Sequence, residues 1–126
     1  MQSIPHGTVD KRVKIVCTYA RMNLDQRLSL DHLARIVNLS PWGLSHLFRQ
    51  ETGLAPMQWL KFQRITHAKL LLERTLLTVK EVRALVGASD ASHFSREFRR
   101  AFGLSPVQCR TYRRGQDTPR SSRRFQ

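Results

Sequence analysis

Apolar residues recur along this chain at helical spacing, in short blocks closed by capping and stop residues. Val9, Val13, Val16 and Ala20 share one face of a first predicted helix, over about residues 9–24. Leu30, Leu33, Ala34 and Val37 follow the i, i+3, i+4, i+7 rule, and Ser29 stands where an N-cap belongs. Ser40-Pro41 opens the next helix, since Pro is well placed at the first helical position. Its stripe is Leu44, Leu47 and Phe48, and Gly53 stops it. A longer block follows with Leu60, Ile65, Ala68 and Leu72, flanked by Met57, Trp59 and Leu71, and residues 57–72 contain no Pro or Gly. Thr78 and Glu81 then form a capping box for a helix with Val79, Val82, Leu85 and Val86 on its stripe. Ser89 or Asp90 caps the next, whose stripe is Phe94, Phe98 and Phe102 and whose stop is Gly103. Ser105-Pro106 opens a short last helix. No segment alternates with period 2, so no strand is predicted.

These blocks repeat. Phe48, Gly53 and Pro56 recur as Phe98, Gly103 and Pro106, at an offset of 50 residues. Upstream, Ser29, Leu33 and Val37 recur as Thr78, Val82 and Val86 at an offset of 49. The second copy therefore holds one extra residue, near Ala88-Ser89-Asp90. The repeated unit is helix, turn of three to four residues, helix, the layout of a helix-turn-helix. The expected fold is all-α: seven helices in two helix-turn-helix subdomains joined by a long central helix. The expected divisions are residues 1–54, the connecting helix 55–74, the second subdomain 75–113, and a flexible basic tail 114–126.

Charge narrows the partner. Across 126 residues, 22 Lys and Arg against 9 Asp and Glu leave a net charge of +13. Residues 1–63 carry 8 basic and 4 acidic residues; residues 64–126 carry 14 and 5. Such an excess suits a polyanion: DNA, RNA or an anionic membrane surface. The 40% hydrophobic content is ordinary for a globular domain. No apolar run approaches the ~18 residues of a membrane span, and no signal peptide opens the chain. Cys17 and Cys109 are expected as free thiols. The scattered acids offer no nucleophile–base pair, and no Gly-rich phosphate loop is present, so an enzyme is not expected. Neither a metal site nor a cofactor is expected.

Successive helical residues turn by about 100°, which fixes what lies opposite each stripe. Opposite Leu44, Leu47 and Phe48 lie Trp42, Ser45, His46 and Arg49. Opposite Phe94 and Phe98 lie Ser92, Arg96, Arg99 and Arg100. The offset of 50 pairs Trp42 with Ser92, His46 with Arg96 and Arg49 with Arg99. A solvated charged face is the ordinary reading of such a run. Trp42 resists it, because a large aromatic opposite the core exposes apolar surface; packing on a neighbour and recognition both remain open. Arg96 suits bidentate reading of guanine O6 and N7. His46 fits a base reader, a phosphate donor or a bystander equally. His93 is read as structural, on the core side of its helix, and His32 and His67 as surface or packing residues. A connector of about 20 helical residues spans ~30 Å, close to the ~34 Å recurrence of a major-groove face along B-DNA.

Two stretches resemble a known family. Ser40-Pro41, Leu44-Ser45, Leu47-Phe48, Glu51 and Gly53, and later Ser89-Asp90, Ser92-His93-Phe94-Ser95-Arg96, Phe98-Arg99-Arg100, Phe102-Gly103 and Ser105-Pro106, resemble the AraC/XylS transcription regulators over about residues 9–113. The resemblance implies two recognition helices in adjacent major-groove segments of promoter DNA, and activation through contact with RNA polymerase. It places Trp42, Ser45 and His46 at base-reading positions of the first helix, and Ala91, Ser92, Ser95 and Arg96 at those of the second. Ser40, Arg49, Asp90, Arg99 and Arg100 are expected to contact phosphates. Four residues depart from the family pattern. Arg83 replaces an Ala, Ala88 replaces a core aromatic, Gly43 weakens the first recognition helix and removes a contact, and Ala91 can offer a base only a methyl contact.

The resulting expectation is a monomeric, cytoplasmic, nucleoid-associated regulator that binds double-stranded DNA sequence-specifically, with no small-molecule ligand and no membrane partner. The chain has no room for a separate sensor domain, so it is either a small stand-alone regulator or part of a longer one. The alternative is an adaptor that binds RNA polymerase or another regulator with little DNA selectivity.

Overall fold

The computed structural model describes residues 9–117, and within them seven helices and no strand. Helix α1 spans Lys11–Met22. Asp10 caps it, its carboxylate accepting from the Arg12 backbone N–H at 2.8 Å and pairing with the Arg12 guanidinium at 2.9 Å. Helix α2 (Leu30–Ile36) begins at Ser29, whose hydroxyl accepts from His32 N–H. It turns at Asn38, a non-glycine residue in the left-handed region at φ 57°; Asn tolerates that conformation better than most residues do. Helix α3 (Pro41–Thr52) starts from Ser40 and Pro41 and stops at Gly53 with φ 83°.

Helix α4 runs unbroken over Pro56–Arg74, 19 residues. Helix α5 (Val79–Val86) carries the complete Thr78–Glu81 capping box. Of the two cap candidates for α6 (Ala91–Phe102), Asp90 is the one used. Gly103 stops that helix at φ 81°. Helix α7 covers Pro106–Asp117. Its start repeats that of α4. Ala55 N–H donates to Gln58 Oε1 at 3.1 Å, and Ser105 N–H donates to Gln108 Oε1 at 2.9 Å.

The chain forms two compact units that divide between Gln63 and Arg64, inside α4. In the first unit Val13, Val16 and Ala20 of α1, Leu33 and Ala34 of α2, and Leu44 and Phe48 of α3 enclose Leu60 and Trp59 of α4. In the second, Ile65, Ala68 and Leu72 of α4 pack with Val82, Val86, Phe94, Phe98 and Cys109. Residues 55–74 are thus no separate connector: each half of α4 belongs to one core. Burying each Leu, Val or Phe contributes about 1.5–3 kcal/mol, and Phe48 and Phe98, at 0% exposure, sit at the centres.

Some expectations fail at the edges of stripes. Leu85 is 49% exposed rather than part of the α5 core stripe. It lies about 100° around the helix from Val86, at the rim. His93, expected on the core side, is exposed, one such step from the buried Phe94. Helix α7 is longer than expected and takes in residues 114–117, the start of the expected tail. Arg is a good helix former, and the first Pro after Pro106 is Pro119. Residues 118–126 lie outside the described residues. Both cysteines are free thiols. No helix among the described residues is long and apolar enough to cross a membrane.

Candidate nucleic-acid interface

In the first unit, α2 and the turn through Asn38 and Leu39 set the start of α3. Leu39 N–H donates to Ala34 O at 2.9 Å and closes the turn. Ser40 Oγ accepts from Gly43 N–H at 2.9 Å; its own proton stays available to an acceptor such as a phosphate oxygen. With Leu44 and Phe48 fully buried, Trp42, His46 and Arg49 face solvent and Ser45 is half-buried. Trp42 is 73% exposed, so it does not pack into the core. Instead it stacks on His46, with ring centroids 5.0 Å apart and planes within 7°. The two rings, one helical turn apart, form a single flat aromatic surface.

A Cβ at Gly43 would meet Ser40 Oγ at 3.1 Å and the Leu39 side chain at 3.9 Å. Position 43 therefore points back at the helix cap. A side chain there would crowd the cap, so the expectation that Gly43 removes an outward contact is corrected.

In the second unit the same register holds on α6. Phe94 and Phe98 are buried, and Ala91, Ser92, Ser95, Arg96, Arg99 and Arg100 are exposed. Arg100 pairs with Glu97 at 3.1 Å. Asp90 accepts from His93 N–H at 2.9 Å. That backbone donor, first, and the charges of His93 and Arg96 hold its carboxyl below the usual range. Asp90 is thus the cap of α6, and its ionised carboxylate, unlike the Ser40 hydroxyl, has no proton to donate to a phosphate.

Several basic residues are structural. Arg110 of α7 donates through Nε to Leu72 O at 3.0 Å and through Nη2 to Leu77 O. It ties α7 to the end of α4 and to the segment before α5. Arg21 lies over the Trp59 ring at 5.3 Å, and Lys69 over Phe102 at 5.5 Å while pairing with Glu73. Arg83, noted in the sequence only as a departure, donates from Nη1 to the carbonyls of Ala88 and Ser89, each at 3.2 Å. Net charge alone could not separate these clamps from the outward cations. Arg83 alone has a sequence signal, its place at the end of α5 beside the longer turn; Arg110 lies within α7, far along the chain from the carbonyls it bonds.

Each unit thus offers one exposed helix face. The α3 face is aromatic with one Arg; the α6 face is hydroxyl and guanidinium. Such groups can meet base edges and phosphates.

A helix-turn-helix domain family matches residues 33–112. The arabinose operon regulatory protein of Salmonella typhimurium is 41% identical over 106 residues, which cover 83% of this chain and 38% of that protein. The chain therefore spans well under half the length of this relative. Among solved structures, the DNA-binding domain of AdpA, a global transcriptional factor in complex with a target DNA, superposes with a TM-score of 0.81 at 30% identity, covering 86% of this chain and 97% of that one. The C-terminal domain of AraT, a response regulator from Geobacillus stearothermophilus, gives a TM-score of 0.78 at 31% identity, covering 84% of this chain and 88% of the other.

Proposed function

We propose that this chain, which belongs to the AraC/XylS family of DNA-binding transcription regulators, reads promoter DNA sequence-specifically with α3 and α6, each in a major-groove segment. The observation that carries this reading is the duplicated face. At matched positions of a repeated unit, Trp42 and His46 on α3, and Ser92 and Arg96 on α6, stand exposed opposite a buried stripe. Solvation alone gives no reason for the same outward positions to hold recognition-type side chains in both copies.

The roles follow the chemistry. Arg96 reads guanine through its guanidinium, while Ser92 and Ser95 donate or accept at short range. The Trp42–His46 surface meets a thymine methyl or a base edge, and Ala91 offers a methyl contact. Ser40, Arg49, Arg99 and Arg100 hold phosphates. Because the two faces differ chemically, the target site is asymmetric rather than palindromic. The finer reading is a monomeric activator that touches RNA polymerase, working in the cytoplasm on the nucleoid.

An adaptor with little DNA selectivity would be favoured by small residues that thin the base-reading face, here Gly43 and Ala91. Since position 43 points at the cap, half of that support is gone.

Titration against a duplex library decides the matter. Selected sequences are expected to exceed bulk DNA by ~10³-fold or more at physiological salt. A margin under about tenfold for every sequence would refute sequence-specific binding.

A further inference from the structure

The two copies of the repeated unit build their turns differently. In the first, Ala34 is 1% exposed on α2, and Leu39 in the turn packs against the core. At the offset of 49 residues the second copy has Arg83 for Ala34 and Ala88 for Leu39. Large and small have changed places: a small helix residue with a large turn residue became a large helix residue with a small turn residue. The backbone closure is the same in both, Leu39 N–H to Ala34 O and Ala88 N–H to Arg83 O, each 2.9 Å. The paths then part. In the first copy the cap residue Ser40 follows Leu39 directly. In the second, Ser89 intervenes before Asp90. The inserted residue, Ser89, adds one carbonyl that the first turn does not have. Arg83 Nη1 bonds that carbonyl and the one before it, of Ala88.

We propose that Arg83 is a positioning residue, which holds the one-residue-longer turn and thereby sets where α6 begins and which bases Ser92 and Arg96 address. The inference rests on the reading of α6 as a DNA-reading helix. Its physical basis is the loose end a longer turn creates. With one more residue between the closing hydrogen bond and the cap, the start of α6 gains freedom to shift. A guanidinium anchored on α5 and bonded to both sides of the insertion removes that freedom. Ala88 leaves room beside the core for the Arg83 stem, which a Leu there would fill. Arg83 needs no contact with DNA to do this.

The test uses the full chain and the duplex it selects from a randomised library. Every base pair of that duplex is substituted in turn, and affinities are measured for the wild type, His46→Ala, Arg96→Ala and Arg83→Met. The first two variants mark the base pairs that depend on α3 and on α6. Met keeps the aliphatic stem and removes the donors. The expected result is that Arg83→Met lowers base discrimination about tenfold, the scale of lost charge-assisted hydrogen bonds, only at the pairs marked by Arg96→Ala. The pairs marked by His46→Ala and the salt slope stay as in the wild type. An unchanged profile at the α6 pairs overturns the proposal. So does uniform weakening with a shallower salt slope, the signature of a phosphate contact. Should Arg83→Met fail to fold by circular dichroism, Arg83→Ala with Ala88→Leu and deletion of Ser89 rebuilds the turn of the first copy. That variant is expected to fold and to select an altered second half-site; selection of the wild-type site would overturn the proposal. A wild type that selects no sequence sinks the functional reading and this proposal with it, whereas the Arg83 outcomes bear on the proposal alone.

Discussion

Replacing Arg96 with Ala separates base reading from general attraction. Arg96 is exposed on α6, and its guanidinium makes no hydrogen bond or ion pair among the described residues. Its charge contributes to holding the Asp90 carboxyl low, behind the larger effect of the His93 backbone donor. Removing it leaves the cap intact and the Phe94–Phe98 core untouched, so stability should move by no more than about 0.5 kcal/mol. A bidentate Arg–guanine contact is worth about 1–3 kcal/mol of discrimination, or roughly 5- to 150-fold in Kd. The whole of that loss should fall on one base pair. The assay is fluorescence anisotropy on the preferred duplex and its single-pair variants at fixed salt, with a parallel thermal melt. Arg99→Ala is the control. Arg99 is also exposed and is proposed to hold a phosphate, so its loss should weaken every duplex alike and make the slope of log K against log salt shallower by about one. If Arg96→Ala weakens all duplexes by one common factor, Arg96 reads no base and the assignment of the α6 face is wrong.

Three further outcomes are expected. Phe98→Ala, at a fully buried position between Phe94 and Phe102 at 5.7 and 4.9 Å, should cost about 3–5 kcal/mol in urea unfolding followed by circular dichroism; a loss under about 1 kcal/mol would mean that Phe98 is not central to the second core. The folded-state carboxyl of Asp90 ionises below its ordinary value, so its contribution to stability is present above the usual carboxylate range and disappears as pH falls through the lowered value. Asp90→Asn should flatten the acid limb of the stability curve, and an unaltered limb would exclude Asp90 as its source. Finally, with about 6–10 phosphates neutralised, affinity for the selected duplex should fall ~10³–10⁵-fold between 50 and 200 mM salt, and a flat response in a filter-binding series would rule out DNA as the charged partner.

Much of this molecule is legible in its residues because local signals agree with the packing. Ser29, Ser40 and the Thr78–Glu81 box sit where helices begin, and Gly53 and Gly103 sit where helices end in the left-handed region. The repeat offset locates the inserted residue in the one turn that proves longer. Where the reading fails, the physics is not local. Leu85 and His93 lie one helical step from a buried residue, and periodicity cannot say which side of the rim faces solvent. Asp90 shares its cap position with Ser40, and only the structure shows that it, rather than Ser89, makes the cap. Arg83 and Arg110 look like surface cations, since nothing in a single chain states which carbonyls will be left without partners. The candidate site is legible as a list of outward positions; which cations remain free to serve it becomes clear only from the hydrogen bonds.

The two proposed recognition faces differ in how they would select a base. On α3 the Trp42 and His46 rings are stacked before any ligand arrives, at 5.0 Å and 7°. Little rotamer freedom is left to lose, so the surface should select by shape and apolar contact. On α6 the exposed Ser92, Ser95 and Arg96 are not stacked in this way, and on the proposed reading their selectivity comes from directed hydrogen bonds, which demand an accurately placed backbone. The longer turn precedes the helix with that demand, and it is the turn in which Arg83 bonds the carbonyls on both sides of the inserted residue. A preformed aromatic face tolerates a small error in helix placement because contact area falls off gradually, whereas a guanidinium fork does not, because a hydrogen bond weakens steeply once its angle drops below about 120°. The anchoring side chain therefore stands in the copy whose recognition chemistry depends most on where its helix starts.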